Sequence, residues 1–171
     1  MQKFQGKYRI ESARAKWWDY NKSGSYFITI CTKNREHLFG YIKDGEMILN
    51  EYGQIVLECW LDLPNHYENI ILGEFQIMPN HIHCIVGVDN SKNNHDANDN
   101  SEKKSHGVFE FIRALKSFSS RKINEKRNSK GVSNWQERFH DHIIRNDSEY
   151  HRIANYIINN PKKWDEDCFY K

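Results

Sequence analysis

The sequence predicts an α+β fold, in which antiparallel strands and long amphipathic helices follow one another along a single domain. Residues 75–88, FQIMPNHIHCIVGV, contain two strand-like segments that meet at Met78-Pro79-Asn80. Residues 51–63 and 108–130 carry apolar side chains at steps of three and four, as amphipathic helices do. A chain of 171 residues, with 13% aromatic and 28% charged residues, is long enough to bury a globular core.

The composition argues against several other classes of protein. Because no apolar run reaches roughly eighteen residues, no membrane-spanning helix is predicted. The N-terminal residues lack the apolar centre of a secretory signal, and the cysteines form no C-x-x-C pair. We therefore expect reduced, mostly buried thiols in a cytoplasmic protein. The formal net charge of +2 creates no strong global field, so the local distribution of charge matters more than its sum.

Residues 1–22 form a basic and aromatic N-terminal arm. Its cations alternate with aromatic rings, and Arg14 and Trp17 are examples. This combination suits contact with phosphates and stacking on bases. Packing of the tryptophans on the domain explains the same pattern equally well. The domain is expected over residues 23–164, with a C-terminal tail at 165–171.

The first half of the domain combines strands, a hairpin and a helix. The predicted elements are a central strand over 25–32, a hairpin within 39–49, a helix over 51–63, strands over 69–78 and 80–88, and a flexible polar loop over 89–105. Lys43-Asp44-Gly45 is typical of the tight turn of a hairpin. Pro64 is expected to end the helix.

The second half begins with the helix over 108–130, continues with an edge strand within 135–145, and closes with a helix that ends near Asn160. Asn146 is expected to cap this last helix, with Glu149 completing a capping box. Pro161 disfavours helical geometry at the asparagine before it, which predicts the end of the helix there.

The helix over 108–130 has the most uneven charge in the chain. Its cations are Arg113, Lys116, Arg121, Lys122, Lys126, Arg127 and Lys130. A solvated charged face is the simplest explanation. A track for the phosphate backbone of a nucleic acid is the alternative, and for this function we single out the first six of these cations together with Arg145, Arg14 and Trp17.

Two histidines occupy alternate positions of one strand. Since side chains alternate across a strand, His81 and His83 point to one face, and Ile82 and Cys84 point to the other. Neutral imidazoles arranged in this way can hold a divalent metal. Two histidines on a half-solvated strand face would give the same pattern, so the rest of the chain must supply further ligands.

The closing helix offers two more groups for the same site. Tyr156 and Asn160 are four residues apart and share one helical face, whereas Tyr150 points elsewhere. If this face lies against the histidine strand, Asn160 can add an oxygen ligand and the Tyr156 phenol lies close to the metal. A half-buried helical tyrosine and a helix C-cap are the alternative interpretations.

Four segments carry a resemblance to a known family: MPNHIHCIVGV, FIRALKSFSSRKI, WQERFHDHIIRN and YIINNPKKW. In this order and spacing they resemble the single-tyrosine HUH transposases, above all the REP-associated tyrosine transposases, over about residues 26–164. The resemblance implies a ferredoxin-like or RRM-like domain with a central antiparallel sheet. It also implies that His81 and His83 form the metal pair and that Tyr156 is the nucleophile, while Asn160 matches the position that completes the metal site in relatives.

The resemblance further implies a substrate of single-stranded DNA, often with a hairpin, and a cofactor of Mg²⁺ or Mn²⁺. Attack by Tyr156 would leave a 5′-phosphotyrosyl link and a free 3′-hydroxyl, and a later 3′-hydroxyl could reseal the strand. Candidates for the base that deprotonates the phenol are His142, Lys162 and a metal-bound water.

Two other functions fit parts of the same sequence. An RRM-like module without catalysis would bind single strands by stacking bases on aromatic side chains of its sheet. A related HUH nickase of plasmid or phage replication would commonly carry further domains. Relatives include monomers and dimers, so Tyr156 could serve its own histidines or those of a partner in a homodimer.

Overall fold

The structure, a computed structural model, describes residues 3–4, 7–8, 19–91 and 106–170. The strands are β1 (Lys3–Phe4), β2 (Lys7–Tyr8), β3 (Gly24–Cys31), β4 (Gly40–Lys43), β5 (Glu46–Leu49), β6 (Ile70–Met78), β7 (His81–Val88) and β8 (His140–Ile144). The helices are α1 (Glu51–His66), α2 (Val108–Lys126) and α3 (Asp147–Asn159), with short 3-10 segments at Lys33–Arg35 and Asn160–Glu166. The predicted α+β class is therefore confirmed.

The central sheet has the strand order β6-β7-β3-β8, and every neighbouring pair is antiparallel. Within the β3–β7 pair, Cys31 lies opposite His81 and Gly24 lies opposite Val88. The sheet therefore has one end at the histidines and another at Gly24. The strands β4 and β5 form a separate hairpin, which turns at Asp44 and Gly45 with positive φ angles of 52° and 75°.

The helices α1 and α2 pack together on one face of the sheet. The core between them and the sheet contains Trp60, Leu63, Phe111, Leu115, Ile82, Cys84, Val86 and Val88. The even-numbered residues of β7 thus point into this core, as the alternation predicted. Burial of each large apolar side chain stabilises the fold by about 1.5–3 kcal/mol.

The helix α3 covers the opposite face, where the odd-numbered residues of β7 lie. Ile85 of β7 packs there against Ile153, Ala154 and Ile157. The predicted cap is present, because Asn146 Oδ1 accepts a hydrogen bond from the Glu149 amide at 2.8 Å. The Glu149 carboxylate accepts from the Arg145 amide, one residue before the cap. These contacts fix where α3 begins and which of its faces meets the sheet.

Two predicted helix ends are wrong. The helix α1 does not end at Pro64 but continues to His66, because a proline in the last turn removes only its own amide donor and Tyr67 still donates to the Leu63 carbonyl. The helix α2 ends at Lys126 instead of Lys130. Asn128 adopts a positive φ of 52°, which asparagine tolerates better than most residues and which reverses the chain.

Several other predictions concern the ends of the domain and the cysteines. Arg14, Trp17 and most of the loop 89–105 lie outside the described residues. The edge strand is limited to β8, and Trp135 forms only an isolated bridge with Thr32. The four cysteines are free thiols, and three of them are buried. Among the described residues, no helix is both long and apolar enough to cross a membrane.

Candidate active site

The histidine pair lies at the start of β7, on the sheet face that meets α3. Both side chains are fully buried, and their Nε2 atoms are 3.0 Å apart. His81 Nδ1 donates to Asn80 Oδ1 at 2.8 Å, since the Asn80 amide nitrogen is already used as a donor to the Phe169 carbonyl. His83 Nδ1 lies 2.7 Å from the Thr29 hydroxyl. Outer nitrogens held in this way orient the inner nitrogens as in metal-binding histidines.

The environment of the pair favours the uncharged state. Burial lowers the pKa of the His81 imidazole below its usual value, and burial together with His81 does the same to the pKa of His83. Two imidazoles at this separation cannot both carry a proton on Nε2. Neutral imidazole is the form that binds a metal ion.

Asp167 joins the histidines as a third group. Its Oδ2 lies 3.8 Å from His81 Nε2, and one donor atom from each of the three residues lies within 4.8 Å of the others. This carboxylate oxygen is buried and accepts no hydrogen bond from the described residues. An unpaired buried carboxylate oxygen beside two imidazole nitrogens is a donor set that suits a divalent cation.

Asp167 was not predicted from the sequence, because it belongs to the segment interpreted as a C-terminal tail. The segment is held against the domain because Asn80 Nδ2 donates to the Phe169 carbonyl at 2.6 Å. The Phe169 ring also packs on His81, with ring centroids 4.7 Å apart. The acidic run Asp165-Glu166-Asp167 was a signal in the sequence, although nothing in its spacing linked it to the histidines.

Tyr156 lies beside the same pair in the same chain. Its hydroxyl oxygen is 3.5 Å from His83 Nε2, and its side chain is 45% exposed. The ring also makes an edge contact with Phe27 at 6.1 Å. The structure therefore brings together the tyrosine and the two histidines that the sequence singled out, within one subunit.

The surroundings of Tyr156 keep its phenol protonated at neutral pH. Burial raises the pKa of Tyr156 above its usual value, and the negative charge of Asp167 raises it further. A hydrogen bond with the Asn160 side chain acts in the opposite direction. The phenol therefore needs a base or a nearby cation before it can act as a nucleophile.

Asn160 is the C-cap of α3, and its backbone amide donates to the Ile157 carbonyl. Its φ and ψ of −58° and −41° are helical, so the expectation that Pro161 excludes this geometry is wrong; the proline lies in the first turn of the 3-10 segment that follows, where its missing amide donor is tolerated. The side chain is buried, and its Oδ1 has no hydrogen-bond partner among the described residues. The cap is thus observed, and the unpaired oxygen is compatible with the predicted role as a metal ligand. That role stays a prediction.

The predicted nucleic-acid contacts on α2 fall into two groups. Two of these cations are used within the domain: Lys116 donates to the carbonyls of Gln136 and Glu137, and Arg127, the C-cap of α2, donates to Asn124 and Asn134. The others are exposed, namely Arg113, Arg121, Lys122, Lys126, which forms an exposed ion pair with Glu51 at 3.2 Å, and, outside the helix, Arg145. The second group leaves more cationic surface available to a phosphate backbone.

Comparisons with known proteins identify the family and the fold of the chain. No protein-family model matches the chain. An uncharacterised protein of Haemophilus influenzae is 35% identical over 173 aligned residues, which cover 96% of this chain and 95% of that protein. The two chains therefore belong to one family. A second protein of the same organism, provisionally named a REP-associated tyrosine transposase, is 27% identical over 85% of this chain and 74% of its own length.

Solved structures show the same fold. A REP-associated tyrosine transposase bound to a REP hairpin matches with a TM-score of 0.59 and 19% identity, over 90% of this chain and 74% of that chain. The predicted resemblance to the REP-associated tyrosine transposases is confirmed. A provisionally named transposase from Deinococcus radiodurans matches with a TM-score of 0.50 and 16% identity, over 86% of this chain and 97% of that chain. Similarity to REP-associated tyrosine transposases supports a transposase function.

Proposed function

We propose that the chain is a metal-dependent endonuclease and strand transferase that acts on single-stranded DNA and uses Tyr156 as its nucleophile. The observation that carries the proposal is the distance of 3.5 Å between the Tyr156 hydroxyl and His83 Nε2. A half-exposed phenol beside two buried imidazoles can reach a phosphate held in front of them. Because both groups belong to one chain, the proposed reaction needs no tyrosine from a partner subunit.

The proposed reaction is a transesterification. The Tyr156 hydroxyl loses its proton and its oxygen attacks phosphorus, while the bond from phosphorus to the 3′ oxygen breaks. The leaving oxygen takes up a proton to give a free 3′-hydroxyl, and the 5′ phosphate stays linked to Tyr156. A later attack by a 3′-hydroxyl reverses these steps and releases the tyrosine. The energy of the broken bond is thus retained for rejoining, as DNA transposition and recombination require.

The residues of the site fit a divalent metal ion, and we propose Mg²⁺ or Mn²⁺. Two Nε2 atoms converge with the Asp167 carboxylate, so His81, His83 and Asp167 would hold the ion. Asn160, whose buried Oδ1 has no hydrogen-bond partner among the described residues, would be a further ligand. A bound ion supplies electrostatic stabilisation of the charge on the phosphoryl oxygens. Hydrogen bonds to Asn80 and Thr29 hold His81 and His83 in this orientation.

The proposed substrate is a single strand that contains a hairpin. The support is the similarity in fold to the REP-associated tyrosine transposase whose structure contains a REP hairpin. The exposed cations Arg113, Arg121, Lys122 and Arg145 offer contacts to phosphates beyond the site. A cytoplasmic location and a homodimer both stay predictions.

The proposal is tested by incubating the protein with labelled, hairpin-containing single strands and Mn²⁺ or Mg²⁺, followed by denaturing electrophoresis. We expect a covalent protein–DNA adduct, which the Tyr156→Phe variant should not form while it still binds the strand. Tyr150→Phe is the matched control, because this second tyrosine of α3 donates to Glu74 and not to the histidine site. An adduct that survives in Tyr156→Phe would move the nucleophile elsewhere. Tight binding with no cleavage of any strand would favour the alternative, an RRM-like binding regulator without catalysis.

A further inference from the structure

A cleft of about 620 Å³ opens beside Tyr156, between the outer face of α3 and the segment 160–168 that follows it. Both Tyr156 and Asp167 line it, so the cleft leads directly out of the proposed reaction centre. Its volume falls within the range of roughly 300–1,000 Å³ that is typical of ligand pockets. A nucleotide attached to the reacting phosphate would have to leave the centre through this space or beside it.

The rest of the charged and amide lining consists of cations and amides, which can contact a nucleic-acid backbone, and of one further carboxylate, Glu166. Arg152 lies one helical turn before Tyr156 on the same face of α3, and Lys163 comes from the segment opposite. Asn155 and Asn159 add amide groups between them. Arginine, lysine and asparagine side chains are among the groups that contact phosphates in protein–DNA complexes.

The two strongest candidates for phosphate contact are Arg152 and Lys163. The Arg152 side chain is 72% exposed, and its nearest carboxylate is Glu149, at 3.7 Å. An exposed ion pair of this kind contributes little, so a phosphate can replace it at small cost. Lys163 is exposed at the cleft. The neighbouring Lys162 is less available, because its stem packs against the turn at Gly45.

We propose that this cleft, the phosphate cleft, holds the single-stranded nucleotides next to the bond that Tyr156 breaks, and that Arg152 and Lys163 bind their phosphates. The identity of the strand rests on the proposed function, whereas the binding of a single strand can be measured without any cleavage. Arg152 and Lys163 are positioning residues: they place the scissile phosphate within reach of Tyr156 and take no part in bond breaking. The cleft is separate from the basic face of α2.

The salt dependence of binding tests the proposal. The probe is a fluorescein-labelled deoxythymidine strand of roughly 15 nucleotides, which removes sequence and hairpin recognition from the measurement. Its affinity for the full chain is measured by anisotropy over a range of KCl concentrations. Each lost phosphate contact should reduce the slope of log K against log salt by about 0.7, and the double variant R152A/K163A by about 1.4. The conservative variant R152K should keep the slope of the wild type, since the charge is retained.

Lys22→Ala is the matched control. This exposed lysine precedes β3 at the Gly24 end of the sheet, opposite to the histidine end, so its loss should leave the slope unchanged. A slope unchanged in R152A/K163A, an equal decrease in Lys22→Ala, or failure of the wild type to bind the strand would each overturn the proposal. A failure of the proposed function is distinguishable. If the slope falls as expected but no strand gives an adduct with Tyr156, the cleft is a binding site and the nuclease proposal is wrong.

Discussion

The two ends of α3 present the same residue type in contrasting environments. Near its N-terminal end, the Tyr150 hydroxyl donates to Glu74 Oε2 at 2.8 Å. Nearer its C-terminal end, the Tyr156 hydroxyl lies 3.5 Å from His83 Nε2, at the mouth of a cleft. One phenol completes a hydrogen bond that joins helix and sheet. The other faces a group of atoms whose bonding capacity is unused, and this difference separates a structural tyrosine from a candidate nucleophile.

Unused hydrogen-bonding capacity distinguishes the Tyr156 end of α3 from its Tyr150 end. Asn160 Oδ1 and Asp167 Oδ2 are both buried without hydrogen-bond partners there. An unsatisfied buried polar group costs about 1–3 kcal/mol, and a ligand bound at the histidines would offset this cost for both oxygens. At the other end, Glu74 is paired with Tyr150. The comparison therefore predicts that substitutions at the Tyr156 end alter chemistry and that those at the Tyr150 end alter stability.

The largest effect is expected from removing one histidine of the pair. His83→Ala deletes one of the converging nitrogens, and a metal worth about 4 kcal/mol to the transition state corresponds to a loss of about 10³-fold in cleavage rate. The measurement is the initial cleavage rate as a function of Mn²⁺ concentration. His66→Ala is the control, because this histidine of α1 is exposed and pairs with Asp62. Wild-type rates in His83→Ala would remove the metal site from the mechanism.

The next largest effect is a loss of metal affinity on substitution of Asp167, the candidate ligand that was not predicted from the sequence. Asp167→Asn keeps the shape and one oxygen but removes the negative charge of a direct ligand. We therefore expect metal affinity to fall by at least the roughly 10–100-fold that the loss of a group supporting a ligand causes. Isothermal titration with Mn²⁺ measures it. Asp165→Asn, an exposed carboxylate two residues earlier in the chain, should bind as the wild type does. Equal affinities for both variants would leave Asn160 as the preferred third ligand.

A smaller effect on metal affinity is expected from Thr29, whose hydroxyl contacts the outer nitrogen of His83. Thr29→Val removes the hydroxyl that lies 2.7 Å from His83 Nδ1 and keeps the side-chain volume. The imidazole then loses its orientation, and metal affinity should fall by about 10-fold, the lower end of what the loss of such supporting groups causes. Mn²⁺ titration of the folded variant measures this. An unchanged affinity would show that packing alone orients the ring.

The smallest effect on chemistry is expected at Tyr150. Tyr150→Phe should form the adduct normally but lower the free energy of unfolding by about 1 kcal/mol through the lost hydrogen bond. Burial and Glu74 raise the pKa of Tyr150 from 10.0 to about 12. Because the pKa is higher in the folded state than in the unfolded state, the protonated phenol contributes its full stabilisation below pH 10. This contribution disappears as the pH rises towards about 12. Denaturant titrations at several pH values should show the difference between wild type and variant shrinking over this window, and a constant difference would contradict the assignment.

The parts of the site that could be predicted lie on periodic elements. His81 and His83 share a face because strands alternate, and Tyr156 and Asn160 share a face because helices repeat every turn. Asp167 directly follows the 3-10 segment Asn160–Glu166, and its position depends on the contacts of Phe169 with Asn80 and His81. Contacts between segments far apart in sequence leave no periodic signal.

The basic face of α2 is a second case in which contacts between distant segments could not be predicted from the sequence. Its cations were visible as a charge pattern, but the sequence did not show that Lys116 would donate to the carbonyls of residues 136 and 137. Likewise, Pro64 has the character of a helix terminator, yet it lies within the last turn of α1, where the loss of one donor is tolerated.

The most direct test of the contrast between the two tyrosines is to locate the DNA on the protein. Trypsin cleaves after Arg145, Arg152 and Lys162, so residues 146–152 carry Tyr150 and residues 153–162 carry Tyr156 on separate peptides. After cleavage of a hairpin strand, nuclease trimming and mass spectrometry, we predict a nucleotide mass on Tyr156 in the second peptide. A nucleotide on the first peptide, or an adduct that maps to neither, would contradict the assignment of the Tyr156 end of α3 as the reaction centre.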